Sequence, residues 1–311
     1  MPVWGFVLAF FTATAWALTP IFIKEGMKGA GPYEVNPIRS VAAFVTMLIV
    51  MIAMQPEKLP TLTPYLVLGL FFTVVTSAII GDQLYIHSID KIGPSLAVSV
   101  SSGYPLVTTL CSIWMLGEKI TALVWGGTFV IILGLLIIRY DASRKRSGNV
   151  EPEYDLHFVE TRREKMKGFA LAIAAAIIWG ANIPFLKTLM IRGNWSGPET
   201  YFLRSAVFMI IAWALRFVQN RRFKNNVVPL RSLPLRSWLA FIGNGTIGVA
   251  LGGVTFAMCI RVLPVSVVTP ITASSPFITV LLARVFMKEK LTATQGAGIA
   301  LVIAGSIAVS L

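Results

Sequence analysis

Charged residues, histidine and cysteine are scarce in this chain of 311 residues. Only 13% of the residues are charged and 56% are hydrophobic, whereas about a quarter of a soluble domain is charged. The two cysteines have no partner nearby in sequence and there are only two histidines. A disulfide framework or a metal site is therefore not predicted. The composition predicts an integral membrane protein.

Catalytic and nucleic-acid-binding motifs are also missing. The sequence has no phosphate-binding glycine loop and no cluster of titratable residues resembling an active site. We therefore expect neither enzyme activity nor a cofactor. Lys and Arg total 27 against 14 Asp and Glu, which in a soluble chain would suggest nucleic acid. Here the basic residues lie mostly in loops between apolar runs, where they indicate topology and contact with anionic lipids.

Ten apolar runs are long enough to span a bilayer, which requires about 20 residues per helix. The alternating pattern of barrel strands is absent, so helices are the expected spanning elements. The predicted spans are residues 3–23, 35–54, 64–87, 93–116, 121–139, 168–189, 199–218, 236–260, 264–287 and 292–311.

The chain contains a tandem duplication, which is visible without introducing a gap. Residues Gly81–Thr121 align with Gly252–Thr292 at a constant shift of 171 positions, and Pro105 falls on Pro276. Other blocks of the two halves match at slightly different shifts, as with Trp16 on Trp179. Such self-similarity is the signature of a repeat architecture.

The duplication predicts three regions: a five-helix repeat over residues 1–139, a polar linker over 140–167, and a second five-helix repeat over 168–311. An odd number of spans per repeat gives the repeats opposite orientations. The predicted fold class is an all-α integral membrane protein with ten transmembrane helices in two inverted repeats. The loops on the face of the linker carry about four times as many Lys and Arg as the other loops, which predicts that both termini lie outside.

Ionisable residues inside the spans are the first candidates for function, because they are costly in lipid. Asp82 would carry a coupling proton or pair with a cation; the alternative is a place near its helix end, where it reaches headgroups or a lysine. Arg39 and Arg204, predicted about one turn inside the second and seventh spans, would bind a carboxylate or phosphate of a substrate. Because both repeats carry the arginine, a structural brace is the favoured interpretation.

Spans four and nine are predicted to line the pathway, since small and polar residues interrupt both at equivalent places. Proline frees a backbone carbonyl, and small residues allow helices to approach. Packing alone is the alternative. Because equivalent helices of inverted repeats converge near the midplane, we predict a central cavity. Its predicted lining is Ser101, Tyr104, Thr272 and Ser275, with Trp16, Tyr85, Trp179, Asn182 and Asn244 as further candidates.

These features resemble the drug/metabolite transporter superfamily, in particular its ten-helix EamA-type members. The resemblance rests on the Trp16 and Trp179 helices, the Gly-Pro pairs that precede Arg39 and Arg204, and the glycine-rich last helix of each half. It implies a transporter fold but no particular substrate. Members commonly keep both termini in the cytoplasm, whereas the distribution of Lys and Arg in this sequence predicts that both termini lie outside.

Taken together, the sequence predicts a secondary active transporter that exports a small metabolite, such as an amino acid or a similar polar or amphipathic solute, by alternating access. The predicted partners are the small-molecule substrate, protons as a coupling ion and membrane lipids, with no nucleic acid. The protein is expected to act as a monomer in the plasma membrane. The alternative is a polytopic membrane protein without transport, either a lipid-modifying enzyme or a scaffold.

Overall fold

The computed structural model of the protein describes residues 2–55, 60–148, 162–222, 228–275, 277–278 and 293–310. Helices dominate these residues and no strand occurs among them, since an apolar helix pairs its own backbone groups in lipid. The α-helices are α1 (Val3–Gly26), α2 (Pro32–Met54), α3 (Pro64–Thr73), α4 (Asp82–Ser101), α5 (Tyr104–Leu116), α6 (Ala122–Gly148), α7 (Arg162–Gly193), α8 (Gly197–Arg222), α9 (Leu235–Gly243), α10 (Gly252–Val262), α11 (Val265–Thr272) and α12 (Ala293–Ser310).

The helices fit ten spans in two repeats of five, as predicted. Six helical stretches are long and apolar enough to cross a membrane, and three shorter apolar helices correspond to the fourth, fifth and tenth spans. The ninth span begins with α11, and residues 279–292 lie outside the described part of the chain. The predicted linker is partly helical, because α6 continues to Gly148 and α7 begins at Arg162.

Two π-helical segments occur at equivalent places in the repeats. Val74–Gly81 joins α3 to α4, and Asn244–Leu251 joins α9 to α10. Such segments are rare in helices and often occur at functional sites. The first segment belongs to one continuous span, Pro64–Gly93. Gly93 ends this span with φ of 77°, a left-handed conformation that glycine adopts without steric cost.

The two repeats interlock through their first and third spans. A Cβ atom on Gly81 would lie 2.9 Å from Nε1 of Trp179, and a Cβ atom on Gly252 would lie 2.9 Å from Nε1 of Trp16. Both glycines and both tryptophans are equivalent in the duplication. The first span of each repeat therefore packs against the third span of the other, and the buried core is shared between the repeats.

The fifth spans of the repeats, α6 and α12, pack backbone to backbone. A Cβ on Gly127 would lie 2.7 Å from the carbonyl oxygen of Gly305, and one on Gly134 would lie 2.6 Å from that of Gly298. Small residues permit such close approach between helices in membranes. This contact fastens the two repeats together without using any residue of the central cavity.

Candidate functional site

A cavity of about 240 Å³ lies between the two repeats. Small-molecule sites typically enclose roughly 300–1,000 Å³, so this cavity is at the small end. The first four spans of both repeats contribute to its wall. Its main polar and aromatic lining residues are Trp16, Thr19, Arg39, Ser77, Asp82, Tyr85, Ser101, Ser102, Tyr104, Trp179, Asn182, Tyr201, Arg204, Ser205, Phe208, Phe256, Thr272 and Ser275.

Two broken helices meet at the cavity. The fourth span is interrupted between Ser101 and Tyr104, where α4 ends and α5 begins, and α11 ends at the equivalent place, Thr272. The Tyr104 hydroxyl lies 2.7 Å from the Thr272 hydroxyl and donates to the carbonyl of Thr269 at 3.2 Å. Irregular backbone at membrane depth is tolerated where it lines a cavity or is buried in protein. The predicted convergence of spans four and nine is therefore present as a direct contact.

A buried ion pair forms one side of the cavity. Nη2 of Arg39 lies 2.5 Å from Oδ2 of Asp82, and the indole Nε1 of Trp179 donates to Oδ1 of Asp82 at 3.0 Å. The Arg39 side chain is only 3% exposed, and it also donates to Asn36 and Asn244. The pair connects α2, α4 and α7. Its carboxylate accepts hydrogen bonds from two donors, the Arg39 guanidinium and the Trp179 indole.

The second arginine has neutral partners. Arg204 donates from Nη1 to the Thr73 hydroxyl at 2.7 Å and from Nη2 to the Ser77 hydroxyl at 2.9 Å. Its guanidinium lies over the ring of Tyr201, 5.6 Å from the centroid. No carboxylate of the described residues forms an ion pair with it. Asp82 also acts on Arg204 electrostatically, but its direct contact is with Arg39, so the described cavity wall has two arginines and one carboxylate.

Aromatic rings form much of the remaining wall. Trp16 packs on Phe256 with centroids 5.0 Å apart, and Trp179 packs edge-on against Tyr85 at 5.1 Å. These are equivalent pairs in the two repeats. The indole of Trp16 is held by a 3.2 Å hydrogen bond to the carbonyl of Gly248. Rigid aromatic walls with a few fixed polar groups are typical of sites for amphipathic small molecules.

Glu118 connects the two broken spans near one end of the bundle. Its carboxylate accepts from the backbone N–H groups of Val265 and Ser266 at 2.9 and 3.2 Å, at the positive N-terminal end of α11. Lys187 lies 3.5 Å from the same carboxylate and donates to the carbonyl of Leu263. Glu118 therefore caps and orients a helix, and Lys187 is paired with protein groups.

The sequence similarity to a known protein family identifies the class of this protein. The sequence matches the EamA-like transporter family over residues 3–140 and 166–311, which together make up most of the chain. The chain belongs to the EamA-like transporter family. Membership makes it a multi-pass membrane transporter, with a small-molecule substrate and lipids as its partners.

A solved structure supports the EamA-like fold. A chain titled "Crystal structure of protein" superimposes with a TM-score of 0.75, covering 99% of this chain and 98% of its own length. The two sequences are 16% identical, so the likeness concerns the fold alone. No curated protein matches the sequence.

All but one of the predicted site residues of this EamA-like protein line the cavity. The exception is Asn244, which is fully buried behind the wall and accepts a 3.4 Å hydrogen bond from Arg39. Whether the lining residues bind substrate stays a prediction. Among the described residues, no group of three or more His, Cys, Asp or Glu is arranged to hold a metal ion.

Two expectations about the charged residues need correction. Asp82 does not lie a turn from the end of its helix, because the third span continues to Gly93; its partner is Arg39, not a headgroup or a lysine. Arg39 and Arg204 lie about two turns inside their helices, since α2 begins at Pro32 and α8 at Gly197. All three groups are consequently at the level of the cavity.

Sequence reasoning missed Tyr201, Thr73 and Ser77, which surround Arg204. The internal duplication could have identified two of them, Thr73 and Tyr201. Thr73 is equivalent to Asn244 at the shift of 171 positions, and the two residues accept hydrogen bonds from Arg204 and Arg39, respectively. Tyr201 precedes Arg204 by three positions, as Asn36 precedes Arg39. The residues at the positions equivalent to the partners of Arg39 could therefore have been predicted as partners of Arg204.

Proposed function

We propose that this protein is a secondary active transporter that exports a small polar or amphipathic metabolite, such as an amino acid, by alternating access. The observation that carries the proposal is the cavity between two interlocked repeats, with a broken helix from each repeat in contact through Tyr104 and Thr272. The export direction rests on the resemblance to exporters of the same superfamily. The cavity forms within one chain, which supports transport by a monomer, and the membrane that we propose is the plasma membrane.

The inverted arrangement of the repeats supplies the alternating access. Each repeat contains an odd number of spans, so the two repeats would have opposite orientations in the membrane. Rocking one repeat against the other then opens the cavity to one face as it closes the other. The symmetric contacts of Trp16 with Gly252 and of Trp179 with Gly81 lie between the two repeats. Because a glycine has no side chain, the indole edge approaches the helix backbone at both contacts.

Asp82 is the group through which protons would couple to transport. It is the only acid among the described residues that line the cavity. A proton on its carboxylate would compete with Nη2 of Arg39, now 2.5 Å away, and would weaken the link between α2 and α4. Protonation from one face and release to the other would thereby favour successive conformations of the repeats.

Transport by purified protein in liposomes tests this function. We expect a panel of labelled amino acids and their deaminated analogues to contain a solute that accumulates when a proton gradient is imposed. Asp82→Asn should abolish gradient-driven accumulation yet leave exchange of the same solute across the membrane intact. Asp90→Asn is the matched control, because Asp90 is an exposed acid of the same helix outside the cavity. Gradient-driven accumulation that survives in the Asp82 variant would reduce Asp82 to a structural residue.

A further inference from the structure

The two repeats differ in the charge that they place beside their equivalent arginines. Arg39 has a carboxylate partner, Asp82, in the third span of its own repeat. The residue equivalent to Asp82 in the second repeat is Gly253. Arg204 therefore lacks the acid that the duplication would give it, and its partners are the hydroxyls of Thr73 and Ser77.

A tyrosine ring occupies the space of the missing side chain. A Cβ atom built on Gly253 would be 1.8 Å from Cε1 of Tyr201, so no side chain fits there while Tyr201 keeps its position. The same ring lies beneath the Arg204 guanidinium. The second repeat has thus exchanged a carboxylate for an aromatic face, which supports the cation without neutralising it.

The unneutralised charge is directed into the cavity. Arg204 and Tyr201 line the cavity together with Arg39 and Asp82, and these two arginines and one carboxylate are the only formally charged side chains among its described lining residues. An arginine side chain remains protonated in proteins, and an unpaired charge at membrane depth is costly. One negative charge inside the cavity would remove that cost.

The geometry points to Arg204 as the subsite for an anionic group of the cargo, which is a small organic anion with a single net negative charge and an apolar or aromatic body. A carboxylate is the fitting group, because it accepts two parallel N–H bonds from a guanidinium. The Thr73 and Ser77 hydroxyls hold the guanidinium in place, and the rings of Trp16 and Phe256 supply an apolar wall. This inference rests on the proposed transport function and narrows its substrate class.

Binding to purified protein in detergent tests the inference without requiring transport. Phenylacetate, phenethyl alcohol and phenethylamine share one aromatic body and differ in charge. A ligand that binds only the folded state raises Tm with its concentration. We expect phenylacetate to raise Tm of the wild-type protein and the other two to have little effect. An equal response to all three, or a larger response to the alcohol or the amine, overturns the anion subsite, as does the absence of any shift with phenylacetate.

Two substitutions at the subsite make the test specific. Arg204→Met should reduce the apparent affinity for phenylacetate about ten- to a hundredfold, the range expected for a charged hydrogen bond. Ser77→Asp should also abolish the phenylacetate response, because the new carboxylate would take the place of the anion beside Nη2. Arg192→Gln is the matched control, since Arg192 also lies over a tyrosine ring but outside the cavity.

Stability without ligand gives a second readout. Ser77→Asp should raise Tm of the unliganded protein because it neutralises a buried charge, and Arg204→Met should leave Tm unchanged or raise it. Both hydroxyl partners keep hydrogen bonds to their own helix when the arginine is removed. A large fall of Tm in both variants would show that Arg204 is a structural brace. If the wild-type protein binds phenylacetate but transports no solute, the proposed function is refuted while the anion subsite is supported.

Discussion

The ion pair between Arg39 and Asp82 offers the sharpest test of how the cavity is held together. The two side chains are 3% and 23% exposed and their charged atoms lie 2.5 Å apart. Removing one partner of a buried pair typically costs about 3–5 kcal/mol, because the other charge stays buried without compensation. Asp82→Asn changes the charge but keeps an oxygen that accepts from the Trp179 indole. It therefore isolates the effect of the missing charge.

The two single substitutions should not be equally harmful. An arginine left without its acid cannot lose its proton, so Asp82→Asn should cost about 3 kcal/mol, at the low end of the range because the site borders the cavity. Arg39→Met should cost less, since an unpaired carboxylate can bind a proton. Replacing both groups removes both charges, and the double variant should be more stable than the sum of the single effects predicts, with a coupling energy of about 2 kcal/mol.

Thermal unfolding in a mild detergent, followed by tryptophan fluorescence at a fixed scan rate, measures these differences. The shift in Tm per kcal/mol falls with chain length and is about 1.5 °C for a chain of this size, so Asp82→Asn should lower Tm by about 5 °C. Glu25→Gln is the control, because Glu25 pairs with Arg236, whose side chain is 66% exposed, and surface pairs contribute about 0–1 kcal/mol. Additive effects of the two cavity substitutions would refute the reasoning.

Three further predictions concern topology, the pathway and the contact between the last spans. A reporter that is active only in the cytoplasm should be silent when fused after Leu311, as the distribution of Lys and Arg between the loops indicates; activity there would reverse the orientation. In a cysteine-free background, the cysteines of Ser101→Cys and Thr272→Cys should react with a small polar thiol reagent, and substrate should protect them. If both cysteines are unreactive in folded protein, spans four and nine are packing elements. Gly127→Ala should lower stability by about 1–3 kcal/mol, the usual cost of overpacking, because its Cβ would lie 2.7 Å from a backbone carbonyl. Gly126→Ala is the control and should be neutral or stabilising, since its Cβ meets nothing within 4 Å. Equal effects of the two substitutions on thermal unfolding would contradict the close packing of α6 on α12.

The sequence alone determined the membrane class, the ten spans and the two repeats. Long apolar runs can only be helices in lipid, and the gap-free alignment of Gly81–Thr121 with Gly252–Thr292 needs no structure to be seen. It also indicated the cavity wall, because small and polar residues at equivalent depths of spans four and nine are unusual in lipid. Ser101, Tyr104, Thr272 and Ser275 all line the cavity.

Only the tertiary structure decided which charged groups meet. Arg39 and Asp82 lie on different spans, and the pattern of a single helix cannot specify a partner across the bundle. For the same reason, the sequence could not show that Asn244 lies behind the cavity wall, or that Arg204 and Arg39 have different surroundings. A side chain's electrostatic surroundings arise from residues distant in sequence. The duplication could therefore predict two equivalent arginines and show Gly253 at the place of Asp82, but only the tertiary structure showed that Arg39 pairs with Asp82 and that Tyr201 packs against Gly253.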